Sequence, residues 1–249
     1  MKLPEKALWI SHRGESHDAP ENTLAAFRTA REKGSDGSEC DVRLSTDGKV
    51  YVYHDSRTVR MCDGILDLDK GASWEELSRL SIADCHPEFT PQRIPLFSET
   101  VAELGEGRVF FVELKGSDLN LVPAVKEEVL RTGLTPAQCI FIAFDEAMIA
   151  AIKKAMPEYD ALWLMNIATW ESMDALMEHL RELGVDGIDS NYYDVDATLP
   201  EKIARLHEAG FGVGFWTVDN PAIAEFLLDS GADYITSNCA STLRKAVKR

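Results

Sequence analysis

Two histidines and three carboxylates stand at the ends of short apolar runs in this chain. The first run, Ala7–Ser11, stops at His12-Arg13-Gly14. A packed strand end has no need of two side chains able to carry positive charge, whereas an anion does. In "GSECDV", strand alternation puts Gly37, Glu39 and Asp41 on one face and Ser38, Cys40 and Val42 on the other. In "FFVELK", Phe111, Glu113 and Lys115 share a face, which adds a third carboxylate and a lysine at the same level of a later strand. Each close carboxylate pair costs roughly 4 kcal/mol at a separation of about 4 Å and an effective dielectric of about 20. A divalent cation removes that cost, and ligands that are all oxygen favour Mg2+ or Ca2+ over zinc. Taken alone, Glu-x-Asp on a strand is a weak signal, because such carboxylates also pair with arginines or face solvent.

His12 and His54 add weight to it. His54 ends "VYVYH", where Val50, Val52 and His54 share one parity, and both histidines stand at strand ends beside the expected carboxylates. Two histidines across a metal site suit phosphodiester cleavage. One removes a proton from the nucleophile and the other protonates the leaving alkoxide. The metal polarises the phosphoryl oxygens, and Arg13 and Lys115 balance the phosphate charge. His17, His86, His179 and His207 read as structural.

The elements that must position these groups alternate along the chain. Strand candidates are Ala7–Ser11, Ser38–Val42, Val109–Leu114, Cys139–Phe144, Ala161–Met165, Val185–Asp189, Gly212–Val218 and Asp233–Ser237, each short and bounded by turn formers. Between them lie amphipathic stretches such as "TLAAFRTAREKG", several of which stop at glycine. About eight such units in 249 residues predict an α/β fold, a (β/α)8 TIM barrel, with chemistry at its C-terminal rim. The whole chain, residues 1–249, reads as a single domain. Asp47-Gly48 marks a hairpin leading into an extra strand, Lys49–Tyr53. Residues 55–95 then read as a small insertion after the second barrel strand, with one short helix and little core, placed to shape substrate access. Gly14 supplies a sharp exit from the first strand. In "PENT", Pro20 stiffens the approach and Asn22 or Thr23 caps the first helix.

Composition bounds the partners. Twenty-six basic against 42 acidic residues give a net charge of −16, which disfavours nucleic acid and anionic membrane as partners. The five cysteines, Cys40, Cys62, Cys85, Cys139 and Cys239, form no C-x-x-C pair and read as reduced thiols in a cytoplasmic protein. No signal-peptide core and no membrane-spanning run is present in the sequence.

In order, "HRG", "PENT", "E-x-D-V", "DG…V..HD", "ELK" and "G…FWTVDN" resemble the glycerophosphodiester phosphodiesterase family, in particular its short, leaderless bacterial members. The resemblance implies a barrel with an insertion after the second strand and one divalent cation, Mg2+ or Ca2+, on Glu39, Asp41 and Glu113. It implies acid-base catalysis by His12 and His54 and phosphate contacts from Arg13 and Lys115. The substrate would be a small-molecule glycerophosphodiester, cleaved to an alcohol and glycerol 3-phosphate. Trp216 shares a face with Gly212 and Gly214, which leave room for a ligand, and the resemblance places it against the glycerol moiety. Gly37-Ser38, Ala143 and the final "ITSN" depart from the family pattern, and relatives usually have Thr-Asp followed by Pro at the last. These departures bear on substrate preference. A lysophospholipase D-like activity would need an exposed apolar loop, and the mixed, acidic insertion disfavours it. A non-catalytic binding barrel should have lost a histidine or carboxylate, and none is lost.

Overall fold

The computed structural model describes residues 1–82, 86–89 and 91–247. Among these, the strands in chain order are β1 (Leu8–Ser11), β2 (Gly37–Leu44), β3 (Val50–Val52), β4 (Ser81–Ile82), β5 (Gln92–Arg93), β6 (Val109–Leu114), β7 (Cys139–Ala143), β8 (Asp160–Met165), β9 (Gly187–Asn191), β10 (Gly212–Trp216) and β11 (Tyr234–Ser237). Parallel ladders run from β1 through β2, β6, β7, β8, β9, β10 and β11, and β11 pairs back to β1. That closure is the expected (β/α)8 barrel. β3 lies outside it, antiparallel on β2 with Val42 opposite Val52, as the Asp47-Gly48 turn requires.

Helices return the chain between parallel strands and cover the barrel. The first, Leu24–Lys33, begins where Thr23 Oγ1 accepts from the Ala26 N–H. Thr23, not Asn22, is therefore the cap. The outward parity of the strands is apolar and meets the helices. Cys40, Val42, Phe110 and Val112 are wholly buried, and Phe110 packs between Phe27 and Phe97, with ring centroids 5.7 and 6.0 Å away. Removing such a ring costs about 3–5 kcal/mol. The inward parity supplies a second layer of Ile10, Phe111, Ile140, Ile142, Leu162, Leu164 and Tyr234. This layer fills the barrel beneath its C-terminal mouth. β1 divides between the layers, with Ile10 inside and Trp9 among the helix-facing residues.

The insertion differs from its sequence reading. It carries a core of its own, in which Tyr51 and Tyr53 pack with Met61, Leu68, Leu77, Ile82 and Ile94. These residues come from 3-10 turns, the four-residue helix Trp74–Leu77 and the β4–β5 ribbon, so no single periodicity displays them. A helix at Phe97–Leu104 follows and serves as the return after β2. Buried Thr100, bonded to the Phe97 carbonyl, interrupts its apolar stripe. Cys40, Cys62, Cys139 and Cys239 form no disulfide. Cys85 lies outside the described residues.

Candidate active site

The barrel mouth opens into a cavity with about 490 Å³ of empty space, open solvent included. His12, Arg13, Glu39, His54, Glu113 and Trp216 all line it. Of the residues singled out from the sequence, Asp41 and Lys115 stand behind this wall, with Asp41 fully buried. His17, His86, His179 and His207 are elsewhere: His179 stacks on Trp170, and His207 bonds Asp233.

Register explains the convergence. Across the β2–β6 ladder, Glu39 lies opposite Phe111 and Asp41 opposite Glu113. Parallel strands set side by side bring residues of equal parity to the same face. Glu39, Asp41 and Glu113 consequently offer oxygens within 4.8 Å of one another. Their surroundings polarise the set unequally. Burial raises the Glu39 carboxyl well above its usual range, with Asp41 and then Glu113 adding to the effect. Burial also pushes Glu113 up to about 7, with Asp41 again contributing. Burial alone would raise Asp41 too, but Arg13, Lys115 and His54 hold it well below the usual carboxylate range. Lys115 Nζ is 2.7 Å from Glu113 Oε1 and 3.5 Å from Asp41 Oδ1. Arg13 Nε lies 3.4 Å from Asp41 Oδ2, and its guanidinium also donates to Glu21.

Oε1 of Glu39 and Oδ1 of Asp41 are buried and accept no hydrogen bond. Three converging carboxylates, two of them with an oxygen that accepts no hydrogen bond among the described residues, and no sulfur or imidazole among them, match the donor set of a hard divalent cation.

The loop after β1 is built around this cluster. Arg13 adopts a left-handed φ of +56°, with its N–H donating to Glu39 Oε2 at 2.9 Å. Gly14, at φ +77°, follows it, and a Cβ there would lie 2.5 Å from the Ala26 carbonyl carbon. Asn22, also left-handed at φ +57°, donates to Asp41 Oδ2 at 2.8 Å. Asn22 thus belongs to the site, a role its position in "PENT" does not reveal. Glu15 is buried behind the loop and is held by the hydroxyls of Ser11, Ser35 and Ser241.

The two histidines have different partners. His12 Nδ1 is 2.7 Å from Asn238 Oδ1, while Asn238 Nδ2 donates to Asp219 Oδ2 at 2.7 Å. An ionised carboxylate only accepts, so Asp219 fixes the Asn238 amide with its oxygen towards His12. His12 Nδ1 must then carry the proton, which leaves the Nε2 lone pair facing Glu39 Oε2, 4.0 Å away. Burial and then Arg13 lower the imidazole to about 4. His54 Nδ1 instead meets a carboxylate, Asp55 Oδ1, at 2.7 Å. Arg60 bridges Asp55 to Glu21, the partner of Arg13, so one ion network joins both histidine loops. Burial is the largest influence on His54 and lowers it, while Asp41 and the Asp55 bond oppose that shift. Arg43 fixes the His54 backbone by donating to the Tyr53 and His54 carbonyls. Asp55 was legible as the neighbour of His54. Glu21, Arg43 and Arg60 meet only through the tertiary fold.

On the far wall, Trp216 stacks edge-on against Phe144, with centroids 5.5 Å apart, and donates from its indole N–H to the Asp189 carbonyl at 3.1 Å. Asp189 lines the cavity with a side chain that sequence reasoning missed. Its inward parity on β9 was the available signal.

The profile of the "Glycerophosphoryl diester phosphodiesterase family" matches residues 12–241. A glycerophosphodiester phosphodiesterase of Caldanaerobacter subterraneus subsp. tengcongensis is 28% identical, over 98% of this chain and 99% of its own. Glycerophosphodiester phosphodiesterase 1 of Mus musculus is 38% identical over 88% of this chain and 74% of its own. Among solved structures, an Oleispira antarctica phosphodiesterase in complex with the product sn-glycerol-3-phosphate superposes with a TM-score of 0.88. It is 25% identical, over 98% of this chain and 97% of that one. By the match of residues 12–241 and by these likenesses, the chain belongs to the glycerophosphoryl diester phosphodiesterase family.

Proposed function

We propose that this barrel hydrolyses small glycerophosphodiesters to an alcohol and glycerol 3-phosphate, with His12 as proton acceptor and His54 as proton donor. Phosphoric diester hydrolysis follows from family membership. The assignment of roles rests on one observation above the others: two of three carboxylates whose oxygens converge within 4.8 Å, Glu39 and Glu113, line one cavity with two differently partnered histidines.

Glu39, Asp41 and Glu113 would hold one divalent cation, Mg2+ or Ca2+. When bound, that ion supplies polarisation of the phosphoryl oxygens. Arg13 and Lys115, the cations nearest the carboxylates, balance the charge of the phosphate. His12 has its Nδ1 proton committed to Asn238, so its Nε2 removes the proton from the attacking oxygen. His54 has a carboxylate on Nδ1, which stabilises the imidazolium form, so its Nε2 protonates the departing alkoxide. Bond making and breaking then occur at phosphorus, between the two rings. Trp216, held by its bond to Asp189, provides an apolar wall for the glycerol carbons.

In this reading the whole chain works as one domain, and the insertion reaches the site through Arg60, which bonds Asp55 beside His54 and Glu21 beside Arg13. No helix of the described residues is long and apolar enough to cross a membrane. The lack of disulfides at the four described cysteines supports a cytoplasmic setting. The net charge of −16 supports a small ligand over nucleic acid. The test is glycerol 3-phosphate release from a panel of glycerophosphodiesters, glycerophosphocholine and glycerophosphoethanolamine included, with Mg2+ or Ca2+ present. Turnover of at least one member is expected. Binding without turnover of any member would overturn the enzymatic reading.

A further inference from the structure

Asp189 and Thr236 are buried polar residues of the cavity wall that the carboxylate cluster and the histidine networks leave unused. Asp189 Oδ1 and Thr236 Oγ1 have no hydrogen-bond partner among the described residues. Such atoms are destabilising unless something completes them. The two residues lie on β9 and β11, either side of β10, and both have inward parity. On β10, Gly214 stands opposite Asp189 and Tyr234, two residues below the level of Thr236, and it leaves space above Asp189, since a Cβ there would come within 2.6 Å of Asp189 Oδ1. Trp216 is tied to the same place by its bond to the Asp189 carbonyl. The strand architecture therefore accommodates a buried carboxyl oxygen and a hydroxyl left without partners among the described residues.

The surroundings select the ligand chemistry. Asp189 is not one of the three converging carboxylates, and its cavity neighbours include Ile142, Leu164 and Phe144. Apolar walls favour a neutral ligand group, and a phosphate would meet a carboxyl instead of a cation. Burial, with Glu113 second, pushes Asp189 up to about 8. In either protonation state its side-chain oxygens can bond an alcohol hydroxyl, which both donates and accepts. Thr236 offers a donor and an acceptor from its hydroxyl. An alcohol hydroxyl, itself donor and acceptor, complements both.

We propose that Asp189 and Thr236 form a hydroxyl-recognition subsite that selects the polyol end of the substrate, making them specificity-determining residues. This rests on the glycerophosphodiesterase reading above. A site built to bond a substrate hydroxyl rejects the analogue lacking it far more strongly than an apolar pocket rejects a missing methylene.

The test compares kcat/KM for glycerophosphocholine with that for the same diester built on propane-1,2-diol, which lacks the terminal hydroxyl. The wild-type chain should prefer the glycerol diester by about a hundredfold or more. Asp189→Ala and Thr236→Val should each compress that ratio at least about tenfold, chiefly by slowing the glycerol substrate. Asp189→Asn, which keeps a donor and an acceptor, should retain most of the preference. Thr236→Val preserves shape and carries the test if Asp189→Ala fails to fold. Cleavage of both diesters with a ratio unchanged by these substitutions would overturn the subsite while leaving the activity intact. Cleavage of neither by the wild-type chain would overturn the activity and the subsite with it.

Discussion

His12 and His54 are chemically alike and differ in what holds the ring nitrogen facing away from the cavity. A neutral amide orients His12, and a carboxylate orients His54. Alanine at either position should lower kcat by about a hundredfold or more, with circular dichroism and melting temperature near wild type. Asn238→Asp is the more discriminating change. A carboxylate on Nδ1 favours the imidazolium, so the His12 pKa rises. A base is active only when neutral, so the acid limb of the kcat/KM profile should move to higher pH. An unmoved limb would remove His12 from the base role. The carboxylates and histidines were legible because strand parity and strand ends are local properties. Asn238 was visible only as a departure in "ITSN", since its function depends on Asp219, a residue of a different loop.

At the scale of elements, the loop between β1 and the first helix carries the most constraint. Arg13 and Asn22 are left-handed, and Gly14 touches the helix backbone. Gly14→Ala adds a positive-φ penalty to a close backbone contact and should cost about 3 kcal/mol of stability, read by urea unfolding. Activity should fall with it, because His12 and Arg13 hang from the same turn. Strands and most helices were readable from period and turn chemistry. The core of the insertion was not. Its apolar residues are spaced by 3-10 turns and two-residue strands. They acquire a common face only when they fold against Tyr51 and Tyr53.

The molecule as a whole gathers buried carboxyl groups at one end of an acidic barrel. In chelator, burial raises Glu39, Glu113 and Asp189 above their unfolded values near 4. Between these values the folded chain binds more protons than the unfolded one, so stability falls as pH rises through the folded pKa values. His12 and His54 are lowered in the fold, so the opposing rise they contribute is confined to pH values around and below the ordinary imidazole value of about 6.5. The melting temperature in chelator should therefore drop from about pH 7 to about pH 8.5. A saturating divalent cation, by favouring ionised carboxylates, should raise the curve and flatten it. A melting temperature that climbs with pH in chelator would contradict the assigned shifts.

In the proposed mechanism Glu39, Asp41 and Glu113 hold a cation on which phosphodiester cleavage depends. The most direct test of that dependence is glycerol 3-phosphate release from glycerophosphocholine by purified protein, first in EDTA and then after Mg2+ or Ca2+ is restored in excess. Activity should be lost in EDTA and recovered with the ion, with no recovery in the Glu39→Gln, Asp41→Asn or Glu113→Gln variants. Undiminished activity in EDTA would contradict that mechanism.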